Sequence, residues 1–204
     1  MGLRLNGSTS GYTEIDAPAT AGNNTLVLPT GNGTNGQYLQ TNGSGTLSWS
    51  GSLTLGTAQN STSGTTIDFT SIPSWVKRAT VMFNGVSTNG TSLVQVQLGS
   101  GSFTTTGYTA TSSQANTAVA TTSATSGFVT YSGLAAEVRS GHMVFTFVSS
   151  NVWISSHIMK VSTTATVFGG GDVSLSGTLD RIRITTVNGT DTFDAGSINI
   201  MYEG

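Results

Sequence analysis

The densest apolar stretch of the chain is GHMVFTFVSSNVWISSHIMKV, residues 141–161. Two alternating segments flank the polar Ser149-Ser150-Asn151 sequence, and this arrangement predicts two strands joined by a turn. Alternate residues of a strand share a face, so Met143, Phe145 and Phe147 form one apolar face of the first strand. The opposite face is also largely apolar in both segments, which predicts central strands that are covered on both sides.

The composition of the chain favours a folded protein with very few charges. Charged residues make up 8 % of the 204 residues, whereas typical globular proteins have about 25 %. A hydrophobic fraction of 36 % and repeated alternating segments predict an all-β fold. Because few charged side chains can keep exposed sheet edges apart, the edges are expected to close within the chain or against other copies of it.

Charge, hydropathy and cysteine content exclude several classes of function. The net charge of −2 at pH 7 provides no basic patch for nucleic acid. No apolar run approaches the roughly 20 residues that a membrane-spanning helix needs, so we expect neither nucleic-acid binding nor membrane insertion. The chain has no cysteine, which excludes disulfides and thiolate chemistry.

Residues 1–50 differ in character from the rest of the chain. Short apolar segments alternate with Asn-Gly turns, for example Asn35-Gly36 and Asn42-Gly43, and such pairs are typical of tight hairpins. About 50 residues with so few large side chains cannot build a core of their own. We therefore predict a β-rich N-terminal module, residues 1–50, that trimerises by sharing a core among three copies.

Residues 51–204 read as a second, larger domain that begins at the Gly51-Ser52 boundary. Alternating segments recur at short spacing, and no helical periodicity of useful length is present. This pattern predicts a jelly-roll-like β-sandwich. Residues 100–127, rich in Ser, Thr and Ala, are expected to form a long exposed excursion on the partner-facing side, with at most one weak strand.

The residues that could carry chemistry have simpler structural interpretations. His142 and His157 are the only histidines and form no short metal-binding pair, so we interpret them as structural. Asp191 and Asp194 lack the spacing of a calcium loop and are interpreted as caps of the turn before the last strand.

The remaining candidates are a charged group, a glycine run and four aromatic residues. Asp180, Arg181 and Arg183 are expected to form an outward-facing charged row. Gly169-Gly170-Gly171 has neither the lysine nor the helix of a phosphate loop and is interpreted as a flexible turn. Four strand aromatics could stack on sugar rings if exposed, but core packing is the more frequent role: Trp75, Tyr108, Tyr131 and Trp153.

Two parts of the chain resemble modules of tailed-bacteriophage fibre and virion structural proteins. The N-terminal resemblance rests on GSTSGY (7–12), APATAG (17–22), LVLPT (26–30) and GQYLQTNGSGTLSW (36–49). A companion C-terminal domain of the same proteins resembles SIPSWVKRATVMFNGVSTNGT (71–91) together with residues 180–204. Some phage fibres hold metal through His-x-His pairs, which this sequence lacks.

The resemblance implies a homotrimeric tail fibre, head fibre or capsid decoration protein. Such a protein is located in the virion after synthesis in the host bacterial cytoplasm, and its N-terminal module contacts other virion proteins. We therefore predict a virion structural protein that contributes to host attachment, without catalytic, cofactor-binding or metal-binding residues.

Two other classes of function stay open at this point. The alternative is an adhesin that reads host surface glycan through aromatic side chains and amides. A depolymerase would need two carboxylates that converge to about 5–10 Å, and no spacing in the sequence predicts such a pair. We therefore do not expect an enzyme.

Overall fold

The computed structural model describes residues 3–34, 37–51 and 53–204, and every regular element within them is a β-strand. This confirms the all-β prediction. The part of the chain that is described has no helix long and apolar enough to cross a membrane. The predicted Asn35-Gly36 turn and Ser52 of the predicted boundary lie outside the described residues. The chain divides into two compact units, Met1–Ser50 and Gly51–Gly204.

The N-terminal unit consists of two small hairpins. Strand β1 (Leu3–Asn6) pairs with β2 (Tyr12–Ile15), and β3 (Gln37–Thr41) pairs with β4 (Leu47–Gly51). The large apolar side chains of this unit are exposed to solvent: Leu3, Leu5, Tyr12, Ile15, Leu26, Val27, Leu28, Tyr38, Leu39 and Trp49. Since each of them contacts water in a single copy, the unit has no private core among its described residues.

The C-terminal unit contains fourteen strands. They are β5 (Leu53–Leu55), β6 (Gln59–Asn60), β7 (Thr66–Thr70), β8 (Arg78–Thr88), β9 (Val94–Ser100), β10 (Ser102–Phe103), β11 (Thr109–Ala115), β12 (Val119–Ala124), β13 (Phe128–Thr130), β14 (Arg139–Ser149), β15 (Val152–Lys160), β16 (Thr166–Ser174), β17 (Arg181–Thr186) and β18 (Phe193–Glu203).

These strands form two sheets that enclose one core, as in a β-sandwich. The nine-stranded sheet has the order β12-β11-β16-β15-β14-β8-β18-β5, with β6 also paired to β18. The five-stranded sheet has the order β10-β9-β17-β7, with β13 also paired to β9. Phe145 and Ile198 of the larger sheet and Phe128 and Ile184 of the smaller one belong to the same buried cluster. The alternating apolar residues of both sheets therefore supply one shared core.

The predicted hairpin over residues 141–161 is confirmed as β14 and β15. Ser150 and Asn151 form its turn with φ values of 47° and 62°. Met143 and Phe145 point into the core and are fully buried. The expectation that both faces are covered is wrong within the C-terminal unit, because His142, Thr146 and Ile158 on the side opposite the core are exposed.

The expectation of at most one weak strand over residues 100–127 is wrong, although most of the segment is exposed as expected. Strands β10, β11 and β12 lie in this segment, and β11 pairs with β16 along its whole length. Tyr108 is buried, and its hydroxyl donates a hydrogen bond to the carbonyl oxygen of Thr104 (3.0 Å). The Ser, Thr and Ala side chains of β11 weaken the apolar pattern by which strands are recognised.

The flexible turn expected at Gly169-Gly170-Gly171 is in fact the middle of strand β16. A Cβ atom on Gly169 would lie 2.2 Å from the carbonyl oxygen of Thr111, and one on Gly171 would lie 2.1 Å from that of Thr109. Glycine is therefore required by the close approach of β11, not by a need for flexibility.

Candidate functional site

His157 and Ser112 form a buried pair between the two sheets. His157 faces inward from β15, and its Nε2 atom lies 3.0 Å from Ser112 Oγ on β11. Ser112 Oγ also accepts a hydrogen bond from the backbone N–H of Tyr131 (2.9 Å). Burial lowers the pKa of His157 to about 4, so the imidazole is neutral near pH 7.

This pair has the residue types of a nucleophile and its base, but it lacks the access to substrate and the third orienting group that catalysis requires. Ser112 is fully buried, and His157 Nδ1 has no hydrogen-bond partner among the described residues. A catalytic serine needs access to substrate, and its histidine is usually oriented by a third group. The pair is therefore a hydrogen-bonded contact of the interior that links β11 to β15.

His142 lies on the opposite side of the same sheet. It is exposed on β14, between Met82 of β8 and Ile158 of β15 in the strand register. The two histidines face opposite sides because they differ by one position in that register. Within the ranges that the structure covers, no group of three or more His, Asp or Glu side chains is placed to hold a metal ion.

A buried charged network was missed by sequence reasoning. Arg139, the first residue of β14, is 1 % exposed. Its Nη2 atom donates to Ser132 Oγ (2.7 Å), and Ser132 Oγ donates to Glu137 Oε2 (2.6 Å). Gln114 of β11 donates to the other oxygen of Glu137 (2.6 Å). The Ser132 hydroxyl thus links the buried cation to the carboxylate. The bond from Gln114 connects β11 to the same network.

Burial governs the protonation of Arg139. Removal from water lowers its pKa to about 10, and the charge of Glu137 opposes that shift. Arg139 is therefore still a cation at neutral pH. The sequence signal was weak, because Arg and Glu are rarely buried and the AAEVRS segment (135–140) has no strand or helix pattern of its own.

Arg181 and Arg183 lie side by side on the outward face of the five-stranded sheet, as the two-residue spacing predicts. Arg183 donates two hydrogen bonds to Asp68 of β7 (2.8 and 2.7 Å). Arg181 donates to Asp180 (2.7 Å), and this bond is the main reason that the pKa of Asp180 is lowered. The ring of Phe103 contacts both guanidinium groups, with Cζ of Arg183 4.0 Å from its centre.

A shallow depression of about 280 Å³ lies beside this charged row. We call it the polar depression; its lining includes Thr66, Gln95, Gln97, Arg183, Thr185 and Asn188. Adjacent strands place Thr66, Thr185 and Gln95 in one row and Asp68, Arg183 and Gln97 in the next. Gln95, Gln97 and Thr185 are buried and already hydrogen-bonded within the protein. Thr66, Arg183 and Asn188 are the more exposed polar groups of the lining, and their hydroxyl, guanidinium and amide can donate hydrogen bonds to a hydroxylated ligand and accept them.

The two aspartates before and within β18 do not converge. Asp191 accepts hydrogen bonds from Asn188 Nδ2 (2.7 Å) and from the backbone N–H of Ser92 (2.9 Å). The bond from Asn188 is the main cause of its lowered pKa, and Asp191 caps the turn as expected. Asp194 instead lies within β18 and accepts a hydrogen bond from Ser87.

The four aromatic residues considered for sugar stacking all pack into the protein. Tyr108 and Trp153 are buried, and Trp75 and Tyr131 are partly buried against the same core. Burial also raises the pKa of Tyr108 above its ordinary value. Phe103 is the aromatic residue nearest to the polar depression, and its partial exposure was not evident from a strand pattern.

The uncovered side of the nine-stranded sheet, which we call the outer face, carries an apolar row. The strand register aligns Phe168, Ile158, His142 and Met82 across β16, β15, β14 and β8. Phe168 is 44 % and Ile158 54 % exposed. Around His142 and Met82 the surface forms a shallow depression of about 320 Å³ that Val144 and Met201 also line.

No family model matches the chain, and no curated protein or solved structure is significantly similar to it.

Proposed function

We propose that the chain is a structural protein of a tailed-bacteriophage particle, assembled as a homotrimeric fibre or capsid decoration appendage. The observation that carries this proposal is the exposure of nearly all large apolar side chains of the N-terminal unit. Such a concentration of exposed apolar side chains marks a surface that packs against another chain. Three copies that pool these residues would form the core that one copy lacks.

The sequence resemblance gives this assembly its biological setting. Residues 1–50 would attach the appendage to other virion proteins, and residues 51–204 would project from the particle and contribute to host attachment. We propose a jelly-roll-like topology for the C-terminal sandwich. It is supported by pairings between strands that are distant in sequence, such as β8 with β18 and β9 with β17.

Light scattering on the purified full-length chain tests the assembly. We expect three times the chain mass at micromolar concentration, and a monomer mass would overturn the homotrimer. Imaging of virions that carry a tagged copy tests the setting. A label on the capsid or tail supports the proposal, whereas unlabelled particles from a host that expresses the tagged chain would contradict it.

A second candidate function is recognition of a host surface glycan, and the polar depression favours it. The Thr66 hydroxyl, the Asn188 amide and the half-buried Arg183 guanidinium match the donors and acceptors of a sugar ring, and three copies in one particle would raise a weak affinity through avidity. Thr66 is exposed at its rim, so Thr66→Trp would fill the depression. Thr70→Trp, on the same face of β7 but outside the depression, is the matched control.

The glycan candidate is tested by array binding of the full-length protein. Binding that is lost in Thr66→Trp and kept in Thr70→Trp would assign recognition to this surface. Binding that survives both changes would place recognition elsewhere, and no binding to any host glycan would leave only the structural role.

A further inference from the structure

The outer face of the nine-stranded sheet is built like a surface that packs against protein. Three successive cross-strand rows pass through His142, Val144 and Thr146 of β14. The first contains the apolar row defined above. The second runs from Ser156 through Val144 and Thr80 to Met201. Apolar side chains therefore lie on all five adjacent strands, interleaved with His142, Ser156 and Thr80, and such a concentration on one uncovered face marks a surface that packs against protein.

The area of this face is sufficient for a stable interface. Strands β16, β15, β14, β8 and β18 lie side by side and are each nine or eleven residues long. With a strand spacing of about 4.8 Å and a rise of about 3.3 Å per residue, they span about 700 Å². Stable interfaces bury about 800 Å² on each partner, so this face alone approaches the required size.

The charges of the face identify the kind of partner. The rows through Ser140, His142, Val144 and Thr146 carry two cations, Arg78 and Lys160, and two anions, Asp172 and Glu203. Arg78 and Glu203 are already paired at 3.5 Å. A face with balanced charge does not repel its own copy, whereas a nucleic acid or an anionic membrane surface would need a net positive charge.

We infer that the outer face is the surface through which the C-terminal units of neighbouring copies of this chain pack together. The inference rests on the proposed homotrimer and names its interface in the C-terminal unit. Three sheets that turn this face toward one three-fold axis enclose a shared interior. Ile154, Ile158 and Phe168 of each copy would be buried there. This burial would explain why β15 carries apolar side chains on both of its faces.

The first test is the mass of charge-bearing variants of the full-length chain. Ile158→Glu places a carboxylate in the apolar row, where burial without a partner is costly. Val187→Glu is the matched control, since Val187 is 48 % exposed but lies off this face, beside the polar depression. We expect Ile158→Glu to raise the concentration for half-dissociation at least tenfold, and Val187→Glu to leave it unchanged.

The second test leaves the interface intact and uses the absence of native cysteine. Ser156→Cys places a single thiol at the centre of the outer face, and Thr70→Cys places one on the other sheet; both positions are exposed in the single chain. We expect maleimide to label Ser156→Cys at least tenfold more slowly than Thr70→Cys. The two rates should become equal when the protein is diluted below its dissociation range.

The outcomes separate this inference from the proposed function. A wild-type trimer with equal labelling rates, or an Ile158→Glu variant that dissociates like wild type, would overturn the outer-face interface and leave the homotrimer in place. A wild-type monomer would overturn the homotrimer, and the interface with it. Circular dichroism of each variant verifies that a lower mass reflects dissociation of folded chains.

Discussion

His157 Nε2 lies 3.0 Å from Ser112 Oγ, in an interior that keeps the imidazole neutral. The pKa of His157 is lowered from 6.5 to about 4 because burial disfavours the charged ring. In the unfolded chain the same ring takes up a proton near pH 6.5. Below that pH the unfolded state binds more protons than the folded state, so acid favours unfolding.

We therefore predict that His157 makes the protein less stable as the pH falls from 6.5 to 4. A difference of about 2.5 between the two pKa values corresponds to about 3 kcal/mol of unfolding free energy. Urea unfolding across this range measures the loss in wild type and in His157→Gln, where this part of the pH dependence should disappear. His142→Gln, on the exposed face, should retain it; an unchanged loss in His157→Gln would contradict the assignment.

The network around Arg139 leads to a second prediction. Arg139→Met removes the buried cation, so Glu137 keeps its hydrogen bonds to Ser132 and Gln114 but loses the nearby positive charge that offsets its own, which typically costs about 3–5 kcal/mol. The double variant Arg139→Met/Glu137→Gln should recover part of that loss, because no buried charge then lacks a partner. Chemical denaturation of the single and double variants measures both effects.

The exposed pair of Arg78 and Glu203 provides the control for Arg139. Its atoms are 3.5 Å apart and both side chains are partly solvated, so Arg78→Met should cost less than about 1 kcal/mol under conditions that keep the chain monomeric. Equal losses of unfolding free energy in Arg78→Met and Arg139→Met would show that the buried network stabilises the fold no more than an exposed ion pair does.

The glycine run in β16 leads to a third prediction. A Cβ atom on Gly171 would lie 2.1 Å from the carbonyl oxygen of Thr109, so Gly171→Ala must separate β11 from β16. We expect a loss of at least about 2 kcal/mol, within the range of overpacked sites. Gly133→Ala is the control, because its Cβ would meet no atom within 4 Å. Thermal unfolding that gives similar midpoints for both variants would contradict the close approach of these strands.

The sequence could predict the elements with large alternating side chains and could not predict their non-local contacts. Met143 and Phe145 revealed their strand because alternate apolar residues mark a buried face. The outer face was not predictable, because Ile154 and Ile158 have the same pattern whether the chain itself or another copy covers them. Strand β11 was not predicted because its TATSSQA sequence has no alternating pattern of large apolar residues, and its pairing with β16, some 60 residues away along the chain, is not visible in the sequence.

For the candidate surfaces too, the sequence predicted which residues share a strand face but not which distant residues they contact. Period-two spacing placed Arg181 and Arg183 on one face, which the structure confirms. Asp68, the partner of Arg183, is 115 residues away along the chain, and only the pairing of β17 with β7 brings the two together. The burial of Arg139 was not predictable either, because it depends on Ser132 and Glu137 adopting one particular loop conformation.

The separation into two compact units leads to the last prediction: residues 53–204 fold without the N-terminal unit. All the hydrophobic residues of the buried core, from Ile67 to Ile200, lie within this range, and both sheets of the sandwich are formed from its strands. The N-terminal unit contributes no described side chain to that core, so its removal should leave the free energy of unfolding of the sandwich within about 1 kcal/mol. Amide spectra of the 53–204 fragment should be well dispersed and should overlay those of the same residues in the full-length chain. Collapsed amide dispersion would show that the sandwich depends on residues 1–50 for its fold, whereas preserved dispersion with a shifted unfolding midpoint would measure how much the first unit stabilises the second.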